Sequence, residues 1–159
     1  MCVRGCDNPH SQAGDSVGFS AKTEYGLVSL LELAAVHGQG GVLQVAEIAQ
    51  RQGIPDRYLE QMLTSLRRAN ILRSIRGPKG GYQLARPPAQ IQVAEVVSCL
   101  EGEVAARSGG RRDTPEYAVL IALEDRLERT RREILEQATL QQLLDQRDQL
   151  AQAQSMYFI

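Results

Sequence analysis

The 159-residue sequence predicts a mainly α-helical fold carrying one small β-hairpin, and three observations point there. Apolar residues recur at three- and four-residue spacing along most of the chain, the period of a helix with one buried face. Only the stretch between Asn70 and Pro87 changes texture, to short β-prone runs around a Gly and Pro cluster. Aromatic residues are 4% of the chain and Trp is absent, so a core must be built from Leu, Ile, Val and Ala, the usual filling of helical proteins. Hydrophobic residues at 43% and charged residues at 23% suffice for such a core and argue against wholesale disorder. The length fits one domain or two small cooperating modules and excludes a large multidomain enzyme.

Taken in order, residues 1–18 are rich in Gly, Ser, Asp and Asn without periodicity and read as a flexible leader. Ser20 can cap a helix whose Leu27, Leu30, Leu31 and Ala34 are buried and which stops before Gly38. Val45 to Gln52 forms a second helix with Ala46, Ile48 and Ala49 inward, broken at Gly53. Pro55 opens a third, 55–68, through Leu59, Met62, Leu63 and Leu66. Ile71 to Ile75 and Tyr82 to Leu84 flank Arg76 to Gly81 as a hairpin, 71–85, closed by Pro87 and Pro88. Val93 to Leu100 is a short helix, and 101–114 is an exposed loop marking a module boundary. Pro115 to Ala138 is helical, with Leu120, Leu123, Leu127, Thr130 and Ile134 alternately three and four apart, a narrow seam suited to pairing with another helix. Thr139 with Gln142 makes a capping box from which a last helix restarts. The expected organisation is a leader (1–18), a module of short helices and the hairpin (19–100), a loop (101–114), helices carrying the pairing seam (115–152) and a tail (153–159).

The residues that carry function lie between Ala49 and Tyr82. A helix-turn-helix needs a small side chain where its helices cross, a turn residue tolerant of positive φ, and apolar residues locking the second helix; Ala49, Gly53, Leu59 and Met62 meet those needs. Helical hairpins without DNA roles share this pattern, so charge decides further. From Arg51 to Arg86 eight basic residues face two acidic ones, a local charge of +6 in a chain of net charge −1. Such a block suits an anionic partner met by one face. Arg57, Tyr58 and Gln61 fall at the exposed start of the second helix, where base edges are read, and Arg67 and Arg68 at its end, near phosphates. A hairpin tip with Arg76 and Lys79 among glycines is what a winged helix lays beside the duplex backbone or into a minor groove; a solvated turn with incidental charge is the alternative. Lys79 is followed by Gly80 rather than Ser or Thr and no helix begins there, which excludes a Walker loop.

Phe19-Ser20-Ala21-Lys22 with Tyr25-Gly26-Leu27, then Tyr58-Leu59-Glu60-Gln61, Leu66-Arg67, and Ile75-Arg76-Gly77-Pro78-Lys79-Gly80-Gly81-Tyr82 resemble the signature of the Rrf2-type winged-helix regulators, from about Phe19 to the C-terminus. The resemblance implies a winged helix-turn-helix on a long C-terminal dimerisation helix. It implies a homodimeric transcriptional regulator, a repressor, that binds an imperfect palindrome in bacterial promoters. Lys22 and Tyr82, inside the matching stretches, join the expected DNA-contacting set, and Leu120, Leu123, Leu127 and Ile134 the dimer contact.

Many members of that family hold an iron-sulfur cluster through three cysteines in the loop before the dimerisation helix. Here 101–114 contains none, so no cofactor and no metal are expected. Cys99 reads as a structural buried thiol; Cys2 and Cys6 with His10 offer too few ligands for a metal, and a sensor drawing on Cys2, Cys6 and Cys99 is the alternative. The missing cysteines and the Met156-Tyr157-Phe158-Ile159 ending resemble the cluster-free cysteine-metabolism repressors of the family. That likeness implies docking of Tyr157, Phe158 and Ile159 into cysteine synthase, against a tail folded on its own dimer. A protein-interaction module whose target is that enzyme is the rival reading. An enzyme is not expected: with only His10 and His37 as histidines, no nucleophile, base and orienting partner form a set, and His37 suggests only helix capping. An odd cysteine count fits a reducing compartment, and no apolar run of membrane length occurs, so a cytoplasmic protein without a membrane partner is expected.

Overall fold

A computed structural model of the chain describes residues 18–102 and 113–157. Expectations about Cys2, Cys6, His10, Phe158, Ile159, nearly all of the leader and most of the loop 101–114 lie outside those residues. The first helix, α1 (Ala21–His37), begins where the Ser20 hydroxyl accepts the Thr23 amide at 3.3 Å. Helix α2 (Val45–Gln52) is started by Gln44 and Glu47, whose Oε2 accepts the Gln44 amide at 2.9 Å, and stopped by Gly53 at φ 66°. Its inward face is Ile48 and Ala49; Ala46, expected inside, is exposed, because the stripe runs three and four residues apart from half-buried Val45 and leaves position 46 on the outer side. Helix α3 spans Asp56–Arg68, one residue later than 55–68, since Pro55 has ψ 127° and serves as the cap. Leu59, Met62, Leu63 and Leu66 of α3 are buried against α1 and α2.

Strands β1 (Leu72–Ile75) and β2 (Gly81–Leu84) pair antiparallel, Leu72 opposite Leu84 and Ile75 opposite Gly81. Asn70 at φ 59° makes the sharp exit from α3, and buried Ile71 closes the hairpin base by accepting the Ala85 amide at 3.0 Å. Leu43, before α2, adds a one-residue third rung: its amide donates to the Tyr82 carbonyl at 3.0 Å and its carbonyl accepts the Tyr82 amide at 2.8 Å. This docking needs Gly81, which sits at φ 156° and whose Cβ, if present, would collide with the Leu43 carbonyl. Gly81→Ala is expected to cost about 1–3 kcal/mol, read as a lowered Tm in thermal denaturation, and an unchanged Tm would contradict the docking.

Helix α4 (Val93–Glu101) reaches one residue past Leu100 and buries Val93, Val96, Val97 and Leu100 beneath α1 and α3. Helix α5 (Pro115–Gln137), capped by Thr114 and ended by Ala138, has no buried residue. Helix α6 (Leu140–Met156) starts at the Thr139 and Gln142 capping box and runs through the first four residues of the stretch read as a tail. Its Leu140 and Leu144 enter the core, where α6 packs on α1. Bonds from the Val93 amide to the Ala138 carbonyl (2.9 Å) and from the Leu140 amide to the Ile91 carbonyl (3.0 Å) fasten the α5–α6 junction to the N-terminal domain. Among the described residues no helix is long and apolar enough to cross a membrane.

Candidate nucleic-acid interface

Helices α2 and α3 form the helix-turn-helix, with Ala49 3% exposed at the crossing and Gly53 in the left-handed turn. Because α3 buries one stripe, its other face presents Arg57, Glu60, Gln61, Arg67 and Arg68 to solvent. Arg57, Gln61 and Arg68 border a shallow groove of about 480 Å³ with Glu60, Thr64 and Ser65. Tyr58 is held in the first turn of α3 by Tyr25 of α1, edge to face at 5.9 Å and 89°.

The hairpin places exposed Arg76 and Lys79 at its tip, on the far side of β1 from the core. Tyr82, expected to contact DNA, packs half-buried against the core, and Lys22 is half-buried at the start of α1. The basic block is smaller than its sequence count. Arg51 pairs with Glu32 at 3.2 Å, and Arg86 with Glu95 at 2.5 Å while donating to the Gln90 carbonyl at 3.1 Å. Arg57, Arg67, Arg68, Arg73, Arg76 and Lys79 remain exposed and outside the ion pairs of the described residues. Arg73, on β1 and given no role by the sequence alone, belongs with this group; its signal is membership of the same charge run.

Cys99 lies behind α3, half-buried rather than buried, with its thiol donating to the Ser65 carbonyl at 3.5 Å. Burial raises its pKa, the Lys22 ammonium opposing, so the thiol stays protonated at neutral pH. Leu120, Leu123, Leu127 and Ile134 are 56%, 53%, 63% and 61% exposed, an apolar stripe along α5 interrupted at Thr130. Tyr157 follows the end of α6 at 89% exposure.

The sequence from 19 to 146 matches the family model described as Rrf2, iron-dependent transcriptional regulator. Among the described residues Cys99 is the one cysteine, and no three His, Cys, Asp or Glu side chains there cluster to hold a metal, so those residues by themselves do not make an iron site. A relative from Mycobacterium tuberculosis (strain ATCC 25618 / H37Rv), whose name places it among HTH-type transcriptional regulators, is 39% identical over 125 residues, covering 76% of this chain and 77% of its own. The solved structure of IscR from T. potens superposes with a TM-score of 0.69 at 32% identity, covering 82% of this chain and 88% of that one. CymR, the global cysteine regulator of B. subtilis, does so at 0.68 and 32%, covering 82% and 98%. The two scores are so close that the fold favours neither the cysteine-regulator branch nor the IscR branch.

Proposed function

Because this chain belongs to the Rrf2 family of DNA-binding transcriptional regulators, and is not an enzyme, we propose that it is a homodimeric repressor of sulfur and cysteine metabolism genes in the bacterial cytoplasm. Helix α3 enters the major groove, Arg57, Tyr58 and Gln61 meet base edges, and Arg67, Arg68, Arg73, Arg76 and Lys79 meet phosphates. The observation that carries this reading is the run of six cations, outside the ion pairs of the described residues, on one helix and its adjoining hairpin in a chain whose other charges sum to a negative value. Lys22 and Tyr82 act from the edge of this surface. Arg76→Ala should weaken binding to operator and random duplexes alike and reduce the slope of log K against log salt by about 0.9 for each phosphate no longer neutralised. Unchanged affinity and slope in a fluorescence-anisotropy titration would remove the hairpin from the interface.

Pairing of α5 with a second copy covers Leu120, Leu123, Leu127 and Ile134 and supplies the two half-sites of a palindrome. Charge favours an antiparallel pair. With the seam at the a and d positions of a heptad, Arg126 flanks it and faces the partner's Glu133 in an antiparallel pair, but the partner's Arg131 in a parallel one. Arg126→Glu should therefore raise the dimer dissociation constant by about 2–10-fold, and adding Glu133→Arg should restore it in sedimentation equilibrium. A double variant no better than the single one would exclude this pairing.

The lack of loop cysteines supports a sulfur regulon over an iron-sulfur one, and the exposure of Tyr157 supports docking of 157–159 into cysteine synthase. Deleting Tyr157 to Ile159 should abolish capture of that enzyme while leaving operator binding intact; loss of both would place the tail in the dimer. Genome-wide mapping of bound DNA tests the regulon, sulfur genes being expected and iron genes contradicting it.

A further inference from the structure

A cleft of about 680 Å³ lies between α4 and α5, on a face of α5 distinct from the apolar seam. Its apolar lining is Ala94 and Val97 from α4 and Leu135 from α5. Its charges have both signs. Glu101, at the end of α4, accepts from Arg131 of α5 through Oε2 at 3.4 Å, and its Oε1 accepts the Ser20 amide at 3.4 Å. One carboxylate thus ties together α4, α5 and the start of α1. Further along α5, on its exposed side, Arg132 stands between Glu128 and Glu136, one turn away on either side and on the same strip of helix. None of these three is engaged in an ion pair among the described residues.

We propose that this cleft binds a small zwitterion, a free α-amino acid, as an effector. Its carboxylate lies on the Arg132 guanidinium, its ammonium on the Glu136 carboxylate one turn further along α5, and its side chain against Ala94, Val97 and Leu135. The charge pattern selects the class. A simple anion meets three carboxylates against two guanidiniums, and a simple cation meets the guanidiniums, whereas a molecule carrying both signs finds a partner for each of its charges. The size lies within the range of small-molecule sites. A carboxylate at Arg132 also competes with Glu101 for Arg131, and Glu101 is the group holding the N-cap of α1, two residues before Lys22. Occupancy therefore shifts the seating of α1 on α4, and DNA and effector alter each other's affinity by the same factor. That consequence rests on the DNA-regulator reading; occupancy of the cleft does not.

The test is isothermal titration calorimetry of the full chain with each proteinogenic α-amino acid, and with propionate, n-butylamine and inorganic phosphate as single-charge probes. At least one amino acid should saturate with a Kd of about 1 mM or tighter. The single-charge probes should bind about tenfold more weakly, and Arg132→Ala should weaken the amino acid by about tenfold or more. Arg132 is exposed, so its thermal melt should match the parent; Arg132→Lys, which keeps the charge but loses the planar fork, should also weaken binding. Saturation by no amino acid, equal binding of propionate or phosphate, or indifference to Arg132→Ala would each overturn the proposal. Operator titration without any amino acid is read separately, so failure of the cleft and failure of the DNA reading are distinguishable.

Discussion

Replacing Leu123 and Leu127 together by Asp is expected to leave a folded monomer that binds its operator about 10²–10⁴-fold more weakly than the parent. The size of the effect follows from two facts. Both residues are more than half exposed in the single chain, and α5 buries none of its 23 residues, so the substitutions remove nothing from the N-terminal core. In a paired seam, by contrast, each Asp places a carboxylate against the partner's apolar side chains, a cost that favours separation. A monomer engages one half-site at a time and loses the effective concentration that links the second half-site to the first. Sedimentation velocity and circular dichroism on the same sample check the claim: monomer with unchanged helix content and weakened operator binding is expected. A dimer that persists with full affinity would show that this seam is not the dimer interface.

Gln61→Ala should lower operator affinity by about 1–3 kcal/mol while changing affinity for random duplex little, because a bidentate amide reads a base edge and contributes no phosphate charge. Gln61 sits on the exposed side of α3, two turns before Arg68 and one before Ser65, whose hydroxyl donates to the Gln61 carbonyl at 3.1 Å. The variant removes only the side-chain amide, so the helix and its packing through Leu59, Met62 and Leu63 are retained. Competition titrations with permuted operators locate the relaxed position. Equal losses on operator and random DNA would assign Gln61 to general positioning instead.

How much of this is legible in the residues depends on the range of the interaction. Helices α1 to α3 and their ends are readable because the signals are local: Ser20 three residues before the amide it accepts, Gly53 at φ 66° in the turn between α2 and α3, and apolar stripes of fixed period. The exposed apolar stripe of α5 is readable for the same reason. Ala46 misleads because a small apolar side chain carries little directional information when it neighbours a real stripe. Leu43 gives no signal, since a single residue that bridges to Tyr82 has no alternation to detect. Arg51 and Arg86 cannot be told from the free cations of their block, because Glu32 and Glu95, which engage them, lie 19 and 9 positions away and meet them only after folding. The cleft between α4 and α5 is invisible in the sequence for a related reason: its two walls come from either side of the loop 101–114, and only packing brings Glu101 to Arg131.

The central claim is that α3 and the hairpin form one cationic surface presented twice to duplex DNA. Its most direct measurement is the stoichiometry and salt dependence of binding by the full chain to a duplex selected from genomic fragments, followed by fluorescence anisotropy. Two chains per duplex are expected, with log K falling linearly against log salt by about 0.9 for each neutralised phosphate. A chain that binds no double-stranded fragment at low salt, or binds with one copy and no salt dependence, would contradict the account.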